Sequence, residues 1–170
     1  ALWLRAEEVV EFSDEALRQG LKSAWLPGRL QVVRRRPLFL VDAAHSPDRA
    51  RALVTALRSL YGEELRRGRL LLVIGYSRGH APEEVVRHLA PLAAEVFATR
   101  SADPAAIPAS EIGAAASACG VKSRVVEPVA EAVRQALAEA RPEDVVLVTG
   151  SLFAVAEALA ESSTDQKRQE

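Results

Sequence analysis

No methionine occurs anywhere in the sequence, not even at position 1. An open reading frame begins with one, so the chain is expected to be a piece of a longer polypeptide that extends upstream. Cysteine occurs once, at Cys119. That excludes an internal disulfide framework and a multi-cysteine metal site, and Cys119 itself reads as a small buried residue on a helix. No run of about eighteen apolar residues is present, so no transmembrane helix is expected. The start, ALWLRAEEVVEF, is acidic where a signal peptide would be basic, and the cytoplasm is the expected compartment. Neither sign of charge is in excess: 22 Lys and Arg stand against 23 Asp and Glu, for a net charge of −1. The chain as a whole therefore has no general attraction for nucleic acid or an anionic membrane.

Several catalytic signatures are missing too. There is no G-x-x-x-x-G-K-[ST], so the chain carries no phosphate loop of its own. No G-x-G-x-x-G follows the first long strand, which argues against a dinucleotide site. There is neither a G-x-S-x-G elbow nor an H-E-x-x-H metal motif, and no set of metal ligands stands out. Internal repeats are absent.

The 170 residues, 49% apolar and 26% charged, suit one soluble domain, or one domain and a piece of another. Residues 1–24 read as two short amphipathic helices, the second capped by Ser13. WLPGRL (25–30) then breaks the pattern with Pro-Gly, so residues 1–26 are assigned to the end of a preceding domain and a hinge. The stretch 27–161 is one domain. Near-continuous apolar runs at 37–43, 69–76 and 144–150 predict strands buried on both faces. Shorter strands are expected at 30–33, 95–99 and 123–127. Helical spacing fills the gaps at 48–61, 83–92, 111–119, 129–140 and about 152–161. The remainder, 162–170, reads as a frayed polar tail. Alternating strands and helices require crossovers, and hence parallel pairing. The expected fold is α/β: a Rossmann-like, mostly parallel six-stranded sheet flanked by helices, its first short strand antiparallel.

In open α/β sheets ligands bind beyond the carboxyl ends of the strands, and two such ends are rich in chemistry. In FLVDAAHSPDRARAL (39–53) a strand gives way to a helix. Ser46 can cap that helix, with Pro47 at its first position. A helix start favours phosphate or carboxylate. Asp42 could take a ribose hydroxyl or help hold a cation, and His45 could donate to an anionic oxygen; alternatively, they satisfy loop amides and pack against the sheet edge. In VTGSLF (148–153), Gly150 permits a tight turn and Ser151 offers a cap and an exposed hydroxyl. A third loop, GYSRGH (75–80), brings Arg78 and His80 to bear on an anion or simply meets solvent. His88 reads as structural. Arg29 lies in the hinge ahead of Arg34, Arg35 and Arg36; arginine suits bidentate phosphate contact, while the run of three reads as solvated surface.

Four segments, PGR (27–29), LVDAAHSP (40–47), LAPLAAEVFATR (89–100) and DVVLVTGSLFAVAEAL (144–159), fall in an order that resembles the C-terminal domain of the folylpolyglutamate synthases and dihydrofolate synthases of the Mur ligase superfamily. Their usual pattern is close to P-G-R, L-D-G-A-H-N-P and V-T-G-S-L-Y. The resemblance covers roughly residues 13–160. It implies a ligase of folate and one-carbon metabolism. ATP and magnesium, both held mainly by an upstream ATP-binding domain of the same chain, activate a folate or dihydropteroate carboxylate as an acyl phosphate, and the amine of L-glutamate attacks it. By the same resemblance Arg29 and Asp42 meet the nucleotide and its phosphates. His45 and Ser151 serve catalysis, and Ser46, Gly150 and Arg78 serve substrate binding. This chain alone would be inactive, and a monomer is expected. Ala43 replaces the pattern's Gly, Ser46 its Asn, and RGHA (78–81) an Asp-Lys-Asp cluster. The reading from another class is a non-catalytic α/β module that binds a small anion or a protein partner.

Overall fold

The computed structural model describes residues 11–79 and 82–169. The first of the two helices expected over 1–24, and His80, lie outside the described residues. The second helix is present as α1 (Asp14–Ser23), capped by Ser13, whose Oγ accepts from the Ala16 amide. It buries no residue.

Beyond the hinge the chain alternates. In order come β1 (Gln31–Arg35), β2 (Leu38–Asp42), α2 (Pro47–Leu60), α3 (Gly62–Arg67), β3 (Leu70–Ile74), α4 (Pro82–Leu89), β4 (Glu95–Ala98), α5 (Ala109–Ala118), β5 (Lys122–Val125), α6 (Val129–Glu139), β6 (Val145–Thr149) and α7 (Leu152–Gln169). The six strands form one sheet in the order β1-β2-β6-β3-β4-β5. β1 pairs antiparallel with β2, and the other four pairings are parallel. The expected architecture is present.

The central strands β2, β3 and β6 read as long apolar runs because helices cover both faces. Leu70, Leu72 and Ile74 of β3 point into one core, with Leu53 and Leu57 of α2, Val85 and Leu89 of α4 and Ile112 of α5. Leu71 and Val73 point the other way, onto Val129 and Val133 of α6 and Val155 of α7. Side chains alternate across a strand, so β2, β3, β4 and β6 each supply both cores. The helices sort by face because crossovers are right-handed: those leading outward from β2 to β5 lie on one side, and α6, leading back to β6, lies on the other. β6 thus enters between β2 and β3. The rear end of the sheet is closed by Asp144, which accepts from the Arg69 amide at 2.7 Å, the Arg69 guanidinium at 2.6 Å and the Arg141 amide at 2.9 Å.

Three local expectations are corrected. A short helix, α3, follows α2 directly; six residues hold too little periodicity to announce it. Cys119 is exposed rather than buried, because α5 stops at Ala118 and Cys119 is its cap, turned away from the face carrying Ile112 and Ala116. The segment expected to fray continues α7 to Gln169, and Ser162 is buried with its hydroxyl donating to the Ala158 carbonyl. No helix among the described residues is long and apolar enough to cross a membrane.

Candidate functional site

Strand order places the site. β2 is followed by a helix on one face and its neighbour β6 by a helix on the other, so a crevice opens between their carboxyl ends. Register aligns Asp42 with Thr149 across that crevice, and Thr149 with Ile74 of β3 on its other side.

The hinge turn folds over the same rim. The Gly28 carbonyl accepts from the Ala43 amide at 2.9 Å, and the Gly28 backbone packs against Val155 in the first turns of α7. Arg29 follows, and its Nη1 donates to the Ala43 carbonyl at 3.1 Å. The Leu30 amide donates to Asp42 Oδ2 at 2.8 Å. Leu30 carries a φ of 42°, a left-handed conformation that costs a non-glycine residue about 1–2 kcal/mol and that its bond to Asp42 helps to hold.

The Ala43 carbonyl has a second partner, His45 Nδ1, at 2.9 Å. A carbonyl only accepts, so Nδ1 is the donor in that contact. Arg49 Nη1 also lies 3.5 Å from Nδ1. Two donors do not bond each other, and the shorter carbonyl contact decides the role of Nδ1. Ser46 Oγ accepts from the Arg49 amide at 3.4 Å and caps α2, with Pro47 in its first turn.

Burial raises the Asp42 carboxyl above the ordinary carboxylate range, while the Leu30 and Ala44 amides and the charges of Arg29 and Arg49 pull it part of the way back. Beside it lies a cleft of about 340 Å³, with Arg29, Asp42 and Arg49 at its polar side and Leu30, Ala44 and Leu53 on its apolar side. Two guanidinium groups, one carboxylate and a helix start suit an anion that also bears hydroxyls.

β6 contributes the far side. Thr149 Oγ1 donates to the Ala44 carbonyl at 3.4 Å. Gly150 turns the chain with a φ of 108°, and a Cβ there would lie 2.4 Å from the Gly75 carbonyl oxygen. This tight approach corrects the expectation of an exposed Ser151 hydroxyl: Ser151 is 5% exposed and its Oγ accepts from the Ala154 amide at 3.1 Å, capping α7. Leu152 and Phe153 are left in solvent beside it.

Arg29, Asp42, His45, Ser46, Gly150 and Ser151 therefore lie along one connected rim. Arg78 is exposed on the loop after β3, and that loop is fastened elsewhere: its amide donates to the Ala105 carbonyl at 2.8 Å, and Ser77 bonds Asp103. His88 is half-buried on α4. Among the described residues no group of three or more His, Cys, Asp and Glu could hold a metal ion, so the described chain brings no metal centre to the rim. Leu30, Thr149 and Arg49 were not singled out from sequence. Only Arg49 left a signal, as a cation in a first helical turn where acids are favoured.

Residues 28–152 match the family model described as "Mur ligase, glutamate ligase domain". The chain is 31% identical over 147 residues to the Escherichia coli dihydrofolate synthase/folylpolyglutamate synthase, covering 86% of this chain and 33% of that protein. Its fold superposes on E. coli FolC in complex with DHPP and ADP, with a TM-score of 0.80, 30% identity, and coverage of 94% of this chain and 36% of that one. It also superposes on a bifunctional folylpolyglutamate synthase/dihydrofolate synthase with Mn, AMPPNP and L-glutamate bound, with a TM-score of 0.77, 34% identity, and coverage of 89% and 35%. The chain thus spans about a third of the length of these relatives. With the family model matching most of the chain, the sheet and its rim belong to the family of Mur ligase glutamate ligase domains.

Proposed function

We propose that this chain is the glutamate-receiving domain of an ATP-dependent amide ligase of the folylpolyglutamate synthase type. It acts with a nucleotide-binding part of the same polypeptide, in the cytoplasm. The reading is carried by one observation: Arg29 and His45 converge on the Ala43 carbonyl, with Asp42 beside them, at the crevice between β2 and β6. Solved relatives carrying ADP, AMPPNP or L-glutamate support it.

The reaction joins a folate or dihydropteroate carboxylate to the amine of L-glutamate. ATP supplies the phosphoryl group that converts the carboxylate oxygen into a leaving group. The chain's own residues orient and neutralise. Arg29 meets developing negative charge on phosphate oxygens. Asp42, held between amides, accepts from nucleotide hydroxyls. His45, oriented through Nδ1 by the Ala43 carbonyl, takes a proton from the glutamate ammonium and leaves the amine nucleophilic. The buried Ser151 and the Gly150 turn fix the start of α7, whose amides and neighbouring Ser46 receive a glutamate carboxylate. Arg78, on the adjacent loop, reaches an anionic substrate. Closure of the two parts excludes water and protects the activated acid. Magnesium is assigned, with the nucleotide, to the nucleotide-binding part.

The test is glutamate-dependent release of ADP by the longer polypeptide that contains this chain. His45→Ala should lower that rate by about 100-fold, the scale of one lost proton-transfer group. An unchanged rate removes His45 from the mechanism, and no glutamate dependence in the unaltered enzyme removes the ligase reading.

A further inference from the structure

We infer that Arg49 is a second phosphate-contacting arginine, lining the same side of the cleft as Arg29 and completing the anion site at the start of α2. The inference rests on the nucleotide reading above.

Arg49 is the third residue of α2, one turn past its cap Ser46. A cation at that position opposes the helix dipole, whose amino end carries partial positive charge. Asp48 alongside it obeys the rule, and Arg49 breaks it. A local rule broken at the mouth of a site signals use there. The surroundings do not repay the cost. The Arg49 guanidinium lies 3.5 Å from His45 Nδ1, which the Ala43 carbonyl already engages at 2.9 Å. The nearby carboxylate, Asp42, already spends Oδ2 on the Leu30 amide and faces Arg29 as well. Within the cleft one acid thus stands against two guanidinium groups. The imbalance is relieved by an incoming anion.

The geometry favours phosphate. Arg29 comes from the hinge and Arg49 from α2, so the two forks approach from different elements and can share an extended, multiply charged group. Arginine's planar donors match phosphate oxygens in pairs. The apolar wall of Leu30, Ala44 and Leu53 leaves the two guanidinium groups and Asp42 as the polar groups of the cleft. Arg49 also answers a departure in the motif. Ser46 keeps the helix cap but has no amide to donate, and Arg49, one turn on, brings up to five N–H donors.

The experiment uses the longer polypeptide, with binding of AMPPNP and of adenosine measured by calorimetry and KM for glutamate measured separately. Arg49→Ala should weaken AMPPNP about 10-fold or more, the size of one charge-assisted hydrogen bond. Adenosine binding and KM for glutamate should stay within about twofold, and Arg49→Lys should recover part of the loss. AMPPNP affinity unchanged in Arg49→Ala overturns the inference. So does an equal loss for adenosine, which marks a structural role, or a rise confined to KM for glutamate, which makes Arg49 a carboxylate ligand. If the unaltered enzyme binds AMPPNP but adds no glutamate, the ligase reading falls and the Arg49 result still stands. If it binds no nucleotide, both fall.

Discussion

Gly150→Ala separates two energies that hold the rim in shape. The native φ of 108° is costly for any residue with a Cβ, and that Cβ would lie 2.4 Å from the Gly75 carbonyl oxygen and 3.1 Å from its carbon. Both atoms are backbone, so no side chain can rotate away. The conformational cost is about 1–2 kcal/mol, and forcing atoms into a packed site adds about 1–3 kcal/mol, giving a loss of about 2–5 kcal/mol. At about 2–4 °C per kcal/mol for a chain of this size, thermal unfolding by circular dichroism should shift down by about 10 °C. Gly120→Ala is the internal control. Gly120 also has a positive φ, 76°, but a Cβ there meets nothing within 4 Å. It should lose about 1 kcal/mol, or about 3 °C. Equal losses for the two variants would refute the claim that the approach of Gly75 to Gly150 sets the rim.

Asp144→Asn tests the rear of the sheet. Burial works to raise the Asp144 carboxyl, but the Arg69 hydrogen bonds and charge and the Arg141 amide overcome it and hold the group below the ordinary range. A depressed carboxyl contributes stability that is full above the unfolded value, about pH 4, and is lost as pH falls through the folded value. Urea midpoints of the wild type should therefore drop steeply below about pH 4, and those of Asp144→Asn should be lower near neutrality and flatter in acid. Ser151→Ala removes the acceptor for the Ala154 amide and should cost about 1 kcal/mol in urea unfolding; no loss would mean that the hydroxyl does not cap α7. Arg29→Ala in the longer polypeptide should lower kcat/KM for ATP by about 10- to 100-fold; a rate within twofold would detach Arg29 from the nucleotide.

What was legible in the sequence follows from which forces are local. β2, β3 and β6 stood out because both faces are buried, so LFLVD, LLLVI and VVLVT are apolar up to the polar residues that end β2 and β6. The caps Ser13 and Ser46 were visible because capping needs a particular side chain at one position. The residues around Asp42 and Ser151 were singled out because loops at the carboxyl ends of strands carry unusual polar patterns. The misses depend on tertiary neighbours. Ser151 is buried beside a turn at Gly150 that comes up against Gly75, just past the end of β3. The φ of Leu30 is held by Asp42, twelve residues on, and nothing in WLPGRL marks it. Thr149 reads as one more strand residue until register sets it beside Asp42. Cys119 was misjudged by one position, since a helix that ends a residue early exposes its last apolar candidate.

The central claim is that one rim, at the carboxyl ends of β2 and β6, receives the nucleotide and glutamate. Amide hydrogen exchange of the longer polypeptide, with and without AMPPNP and L-glutamate, measures this directly. Slower exchange is expected over residues 43–49 and 150–155, with none over the opposite cleft near 35–38 and 142–144. Protection confined to that opposite cleft, or absent from both rim segments, would contradict it.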